Sequence, residues 1–144
     1  MKPFNWAGVV AAIVVAEGLA FLWYGPLFGA RWSALMGRDA AALNVMDAQN
    51  TDMAFGVMAT ALWVGGLAWL SQRLNASGYL GGARIGAGAW LLFAAPMQSF
   101  LFTYAGHDRA LAPIDMGYTL AAFVVAGALV SGLSFAAQDS ATPA

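Results

Sequence analysis

Four stretches of this chain, 4–24, 53–70, 79–104 and 113–135, stay apolar for close to the roughly 20 residues that a helix needs to cross a bilayer. No other feature limits the possible folds so sharply. The run from Trp6 to Tyr24 alone rises by about 27 Å at 1.5 Å per residue, the depth of a hydrocarbon core. With 61% hydrophobic and only 9% charged residues, the chain falls far from the roughly 25% charged residues of a soluble domain. The expectation is an all-α polytopic membrane protein. Residues 1–144 form a single integral domain, a four-transmembrane-helix bundle with a short interfacial helix after helix one.

The charges exclude several functions. Seven acids and six bases are scattered singly, so no basic stripe follows a phosphate backbone and nucleic acid is not a partner. There is no cysteine, which removes disulfides, thiolate metal sites and cysteine nucleophiles. A single histidine, His107, cannot supply the three or four ligands of a zinc site. No cofactor and no metal are expected. The N-terminal run is too long for the apolar region of a secretory signal and is read as a retained helix.

Taken in order, helix one carries aromatics at both ends, with Trp6 near one interface and Trp23 and Tyr24 near the other, as headgroup-seeking rings would be. Gly25-Pro26 is expected to stop it, because proline lacks the amide donor and disfavours a helical residue before it. The connection 27–52 is half apolar. Phe28, Trp32, Leu35 and Met36 recur at helical spacing with Arg31 and Arg38 off the stripe, the pattern of a short interfacial helix anchored by Trp32. Asp39 is a candidate cap for 40–46, and Thr51 or Asp52 a candidate cap for helix two.

Small residues mark the faces on which helices approach closely: Gly65 with Ala61 in helix two, Gly82 and Gly86 in helix three, Gly127 with Ser131 in helix four. Pro96 falls within helix three and is expected to kink it. Pro113 suits the first position of helix four, and Asp115 suits its first turn, where a carboxylate meets free amide donors.

The segments Trp23-Tyr24-Gly25-Pro26-Leu27-Phe28-Gly29 followed by Trp32, and Ile114-Asp115-Met116-Gly117-Tyr118 at the head of helix four, resemble a family of uncharacterised membrane proteins, domain of unknown function 1761. The resemblance covers nearly the whole chain. It implies four spans and no particular activity.

The residues that carry polar chemistry inside the spans are few. Glu17 lies within helix one with no base three or four residues away, and a charge near mid-bilayer costs at least ~2.5 kcal/mol. It should face the bundle interior or be held as the neutral acid, with Gln98, Ser99 and Thr103 as partners in reach of helix three. The candidate proton, ion or substrate site is Glu17, Tyr24, Gln98, Ser99 and Asp115. No nucleophile and base pair up and no glycine-rich phosphate loop follows a strand, so an enzyme is not expected.

Two classes of function remain. The first is a non-enzymatic packing or accessory unit that forms a homo-oligomer or joins a larger membrane complex in the lipid bilayer. The alternative is a minimal dimeric proton-coupled transporter of small cationic or neutral solutes that uses Glu17. The expected location is a bacterial inner membrane with both termini on one side. Lysines and arginines are balanced, and only the terminal amine favours the cytoplasmic side.

Overall fold

Asn5 opens the first helix, its side-chain oxygen accepting from the Gly8 amide at 3.1 Å while its own amide group donates to the Val130 carbonyl at 3.2 Å. One residue thus caps helix one and ties it to helix four. The structure, a computed structural model, describes residues 5–37 and 49–139, and the side chains of 5–37 and 53–133. Phe4, Arg38, the Asp39 cap and the piece 40–46 lie outside the described residues.

Helix α1, Trp6–Leu22, does not stop at Tyr24 as its Gly-Pro signal suggests; it widens into a π-helical turn, Trp23–Leu27, that contains Pro26. In an α-helix, Pro26 would leave the Leu22 carbonyl without a donor and drive its ring toward that oxygen. The wider turn relieves the clash, and Phe28 closes it by donating to Trp23 O at 2.9 Å. Only then does the chain break, at Phe28, before the short helix α2, Gly29–Leu35. Gly29 is required there, since a Cβ would lie 2.5 Å from the Tyr24 carbonyl oxygen. On α2, Arg31 is exposed while Trp32, Leu35 and Met36 are half-buried, as the apolar stripe suggests.

Helix α3, Gln49–Arg73, begins before Thr51 and Asp52, so these lie in its first turn and do not cap it. Its far end closes with Ala76 donating to Ser71 O at 2.9 Å around Asn75, which takes the left-handed conformation common after helices. The third span repeats the device of the first. Helix α4, Gly78–Ala89, passes through a π-helical turn, Trp90–Ala94, into helix α5, Ala95–Tyr104, so the irregularity sits just before Pro96. A 3-10 turn, Arg109–Leu111, capped by Asp108 through the Ala110 amide, leads into helix α6, Ala112–Asp139, placing Pro113 second in the helix and not first.

Four helical segments, Trp6–Leu27, Met53–Arg73, Gly78–Tyr104 and Arg109–Leu133, are long and apolar enough to cross a membrane. The fold is an all-α membrane bundle, and α6 is its hub, packing on α4, α1 and α3. On α4, Gly82 and Gly86 leave no room for a Cβ against Gly127 O and Phe123 O of α6, and Gly127 is equally tight against Gly82 O. Ser131 lies in the same contact, where it is buried. Gly65 does not share this role: a Cβ there would meet nothing within 4 Å. It points to neither neighbour, because α3 packs through Thr60, Val64, Leu67, Ala68 and Ser71. The core is thin, built from Val9, Ala12, Val64, Leu67, Ala68, Ala89, Ala126 and Val130, with the Trp63 ring stacked on Phe123 at 4.7 Å.

Because overpacking a close contact costs about 1–3 kcal/mol, Gly86→Val should lower the stability of the purified protein by at least that range. Gly65→Ala should leave it within about 0.5 kcal/mol. Thermal or denaturant unfolding in detergent reads both, and equal effects would contradict the α4 and α6 contact described here.

Candidate functional site

On the first turns of α6, Asp115, Tyr118 and Thr119 stand three and four residues apart and so share one face. That face collects most of the side-chain hydrogen bonds made between the spans. From the π-helical turn after α1, Trp23 donates its indole N–H to Ile114 O at 2.9 Å, and Tyr24 donates its hydroxyl to Asp115 Oδ1 at 3.0 Å. From α2, Trp32 donates its indole N–H to the same oxygen at 3.1 Å. From the third span, Trp90 and Gln98 each donate to Thr119 Oγ1 at 2.9 Å.

The rings around Asp115 form a continuous series. Tyr24 meets Trp32 edge to face at 5.5 Å and Tyr118 at 5.1 Å. Trp23 lies 6.4 Å from Tyr118 and 5.0 Å from Phe28. Gly117 admits this arrangement, since a Cβ on it would come within 3.2 Å of the Trp23 ring. Such tilted and edge-on pairs are the favourable aromatic geometry, each contributing about 0.5–1.5 kcal/mol beyond burial.

Asp115 is half-buried, and no described residue donates to its Oδ2, which is not sealed in the core. No group of three or more metal-ligating side chains occurs among the described residues. Residues 7–131 match a family described as Protein of unknown function (DUF1761). The chain belongs to that family. No curated protein and no solved structure matches it. All of the residues of the aromatic cluster in this DUF1761 chain, Trp23 through Thr119, fall inside the matched range.

The structure divides the five candidate residues into three places. Tyr24 and Asp115 meet directly. Gln98 bonds to Thr119, and Ser99 turns back to Ala95 O at 2.8 Å, so neither reaches Glu17. A serine hydroxyl within a helix has the carbonyl four residues back as its nearest acceptor, and the same holds for Thr103 toward Ser99 O. Glu17 is half-buried beside Ala16, whose carbonyl lies 3.5 Å from the Tyr118 hydroxyl. Among the expected anchors, Trp6 is exposed, whereas Trp23 and Trp32 are half-buried and spend their N–H groups on α6, not on headgroups.

Tyr118, Thr119 and Trp90 are the functional candidates that residue-by-residue reading misses. The signal for the first two was their spacing from Asp115, which puts them on its face. For Trp90, only the register of the third span against α6 reveals the partner.

Since one oxygen takes two donors, Tyr24 and Trp32 should be energetically coupled to Asp115. A double-mutant cycle on Tyr24→Phe and Asp115→Asn, read by unfolding in detergent, should show non-additivity of about 0.5–3 kcal/mol. Strict additivity would mean that the Tyr24 bond to Asp115 contributes nothing.

Proposed function

We propose that this membrane protein is a non-enzymatic unit that associates with further copies of itself in the bilayer. The supporting observation is the first third of the α3 span, Met53–Arg73. Every residue from Met53 to Ala59 is exposed, including Met53 at 63%, Phe55 at 61% and Met58 at 52%. Successive helical residues turn by about 100°, so this third of the span is exposed on every side. At the same end of the bundle, α5 exposes Met97, Phe100, Leu101 and Tyr104. A second copy placed against these two segments would bury apolar side chains by close packing, the force that joins helices in lipid. In this reading the protein belongs to an inner membrane with both termini cytoplasmic.

The absence of native cysteine makes the test direct. Single-cysteine variants Phe55→Cys and Met58→Cys, oxidised in native membranes, should give covalent dimers. Val14→Cys, exposed on α1 away from this end, should not. Dimer yield that is equal at all three positions, or absent at all, would remove the reading.

A second reading, proton-coupled transport of a small cationic or neutral solute, draws on Glu17. It is half-buried in a span, and no described base forms an ion pair with it. Ionisable residues so placed often line a pathway. In proteoliposomes with an imposed proton gradient, Glu17-dependent solute uptake would favour this reading, and its absence in the presence of crosslinked dimer would leave the associative one.

A further inference from the structure

We propose that Arg84 binds the phosphate of an anionic phospholipid against the outer face of α4. The proposal is independent of self-association. Arg84 lies six residues after Gly78, the first residue of the span Gly78–Tyr104, so its Cα stands about 9 Å inside that helix at 1.5 Å per residue. Its side chain is exposed. Arginines within spans ordinarily face the bundle interior and pair with an acid or with backbone carbonyls. Arg84 does neither: its guanidinium has no ion pair and no hydrogen bond among the described residues.

The fold fixes the direction in which Arg84 points. Gly82 and Gly86 lie against Gly127 O and Phe123 O of α6, and Arg84, midway between them, is turned by about 200° from each. It therefore stands on the face of α4 opposite α6. Leu80 and Gly88, four residues to either side, share this face; Leu80 is exposed, and a Cβ on Gly88 would meet nothing within 4 Å. An acyl chain has room to lie along it. The same glycine contacts set Arg84 level with Val125 of α6. Tyr118, whose hydroxyl reaches Ala16 beside Glu17, is seven residues away from that level, about 10 Å along the helix, and Asp115 and Asp108 lie further still. In the other direction, the Asp139 backbone at the end of α6 is about 20 Å away.

The depth fits a phosphate. Trp69, four residues before the end of α3, and Arg84, six residues after the start of α4, enter the bundle from the same end. Trp69 is exposed and carries the Arg73 guanidinium over its ring at 5.5 Å, an interfacial indole with a cation beside it. The long stem of Arg84 lets its head turn toward that level while its methylenes stay in hydrocarbon. There the phosphate is the acceptor that matches a guanidinium, with two parallel N–H···O bonds to a pair of oxygens. A lipid of net negative charge is preferred to a zwitterionic one, because no ammonium of its own offsets the phosphate. The charged side chains described at this end, Arg73 and Arg84, are both cationic.

The full-length protein in detergent is given equal phosphatidylglycerol and phosphatidylcholine, and lipid retention is read by native mass spectrometry. The wild type should retain phosphatidylglycerol preferentially. Arg84→Gln should weaken that retention about fivefold, the attraction of one basic side chain for an anionic headgroup. Arg84→Lys, which keeps the charge without the planar fork, should fall between the two. Arg109→Gln, in the exposed turn at the opposite end, should retain the lipid as the wild type does. If Arg84→Gln does not fold, Arg84→Lys compared with Arg109→Gln decides the matter. Equal losses at both positions would reduce the effect to net charge and overturn the proposal, as would a wild type that prefers neither lipid. Retention indifferent to Arg84 also overturns it; if Arg84→Gln then abolishes the Phe55→Cys crosslink, Arg84 is assigned to a carboxylate of another copy.

Discussion

The contact that the rest of the bundle depends on is the close approach of α4 to α6 through Gly82, Gly86 and Gly127. In lipid, helices gain little by hiding apolar side chains from one another, so association rests on backbone proximity and packing. Glycines spaced four apart permit this proximity along one stripe. They also fix register. Gly82 faces Gly127 and Gly86 faces Phe123, and the next turn of each helix then brings Trp90 to Thr119, where the indole N–H finds its acceptor. A contact made of missing side chains thus determines where a polar one lands.

The first and third spans, with Pro26 and Pro96, solve a common problem in a common way. Each widens into a π-helical turn near its proline, and each of those turns begins with a tryptophan, Trp23 or Trp90, whose N–H donates to α6. Widening adds roughly one residue to the turn and so shifts everything beyond it by about 100° around the axis. In the first span Trp23 and Tyr24 open the widened turn and meet Ile114 and Asp115, and the chain beyond it brings Trp32 to the same carboxylate. Such π-turns recur at functional sites because they re-aim side chains without ending the helix. Here two of them aim at the same few residues of α6.

The widened turn also bears on what sequence could and could not disclose. The spans were legible because length and apolarity are local properties, and the short helix after the first span was legible from its stripe of Phe28, Trp32, Leu35 and Met36. The Asp115 cluster was legible only in part: Tyr24 and Asp115 stood together among the candidate residues, whereas Trp32 read as an interface anchor. Reading Gly25-Pro26 as a stop treats proline as incompatible with any helix, although the incompatibility is with α-helical spacing. Reading Asp115 as first-turn capping accounts for its charge and gives no reason to seek Tyr24 and Trp32, which lie 91 and 83 residues away. Gly65 shows the converse error: small residues at the right spacing permit a close approach, but a neighbour must supply it.

The two acids within the spans illustrate how position decides what a carboxylate is free to do. Asp115 sits in the first turn of a helix, where amide dipoles favour negative charge, and two neutral donors orient one of its oxygens. Its orientation is set without a basic partner among the described residues. Glu17 has no such support: it lies in mid-helix, far from either terminal dipole, with no described hydrogen bond to its carboxyl. Ala16 beside it is 2% exposed while Phe21 on its own face is 75% exposed, so Glu17 lies on the border between bundle and surroundings. A residue on that border gains a polar environment only when something else arrives there. The surroundings of Asp115, by contrast, are already built by the single chain.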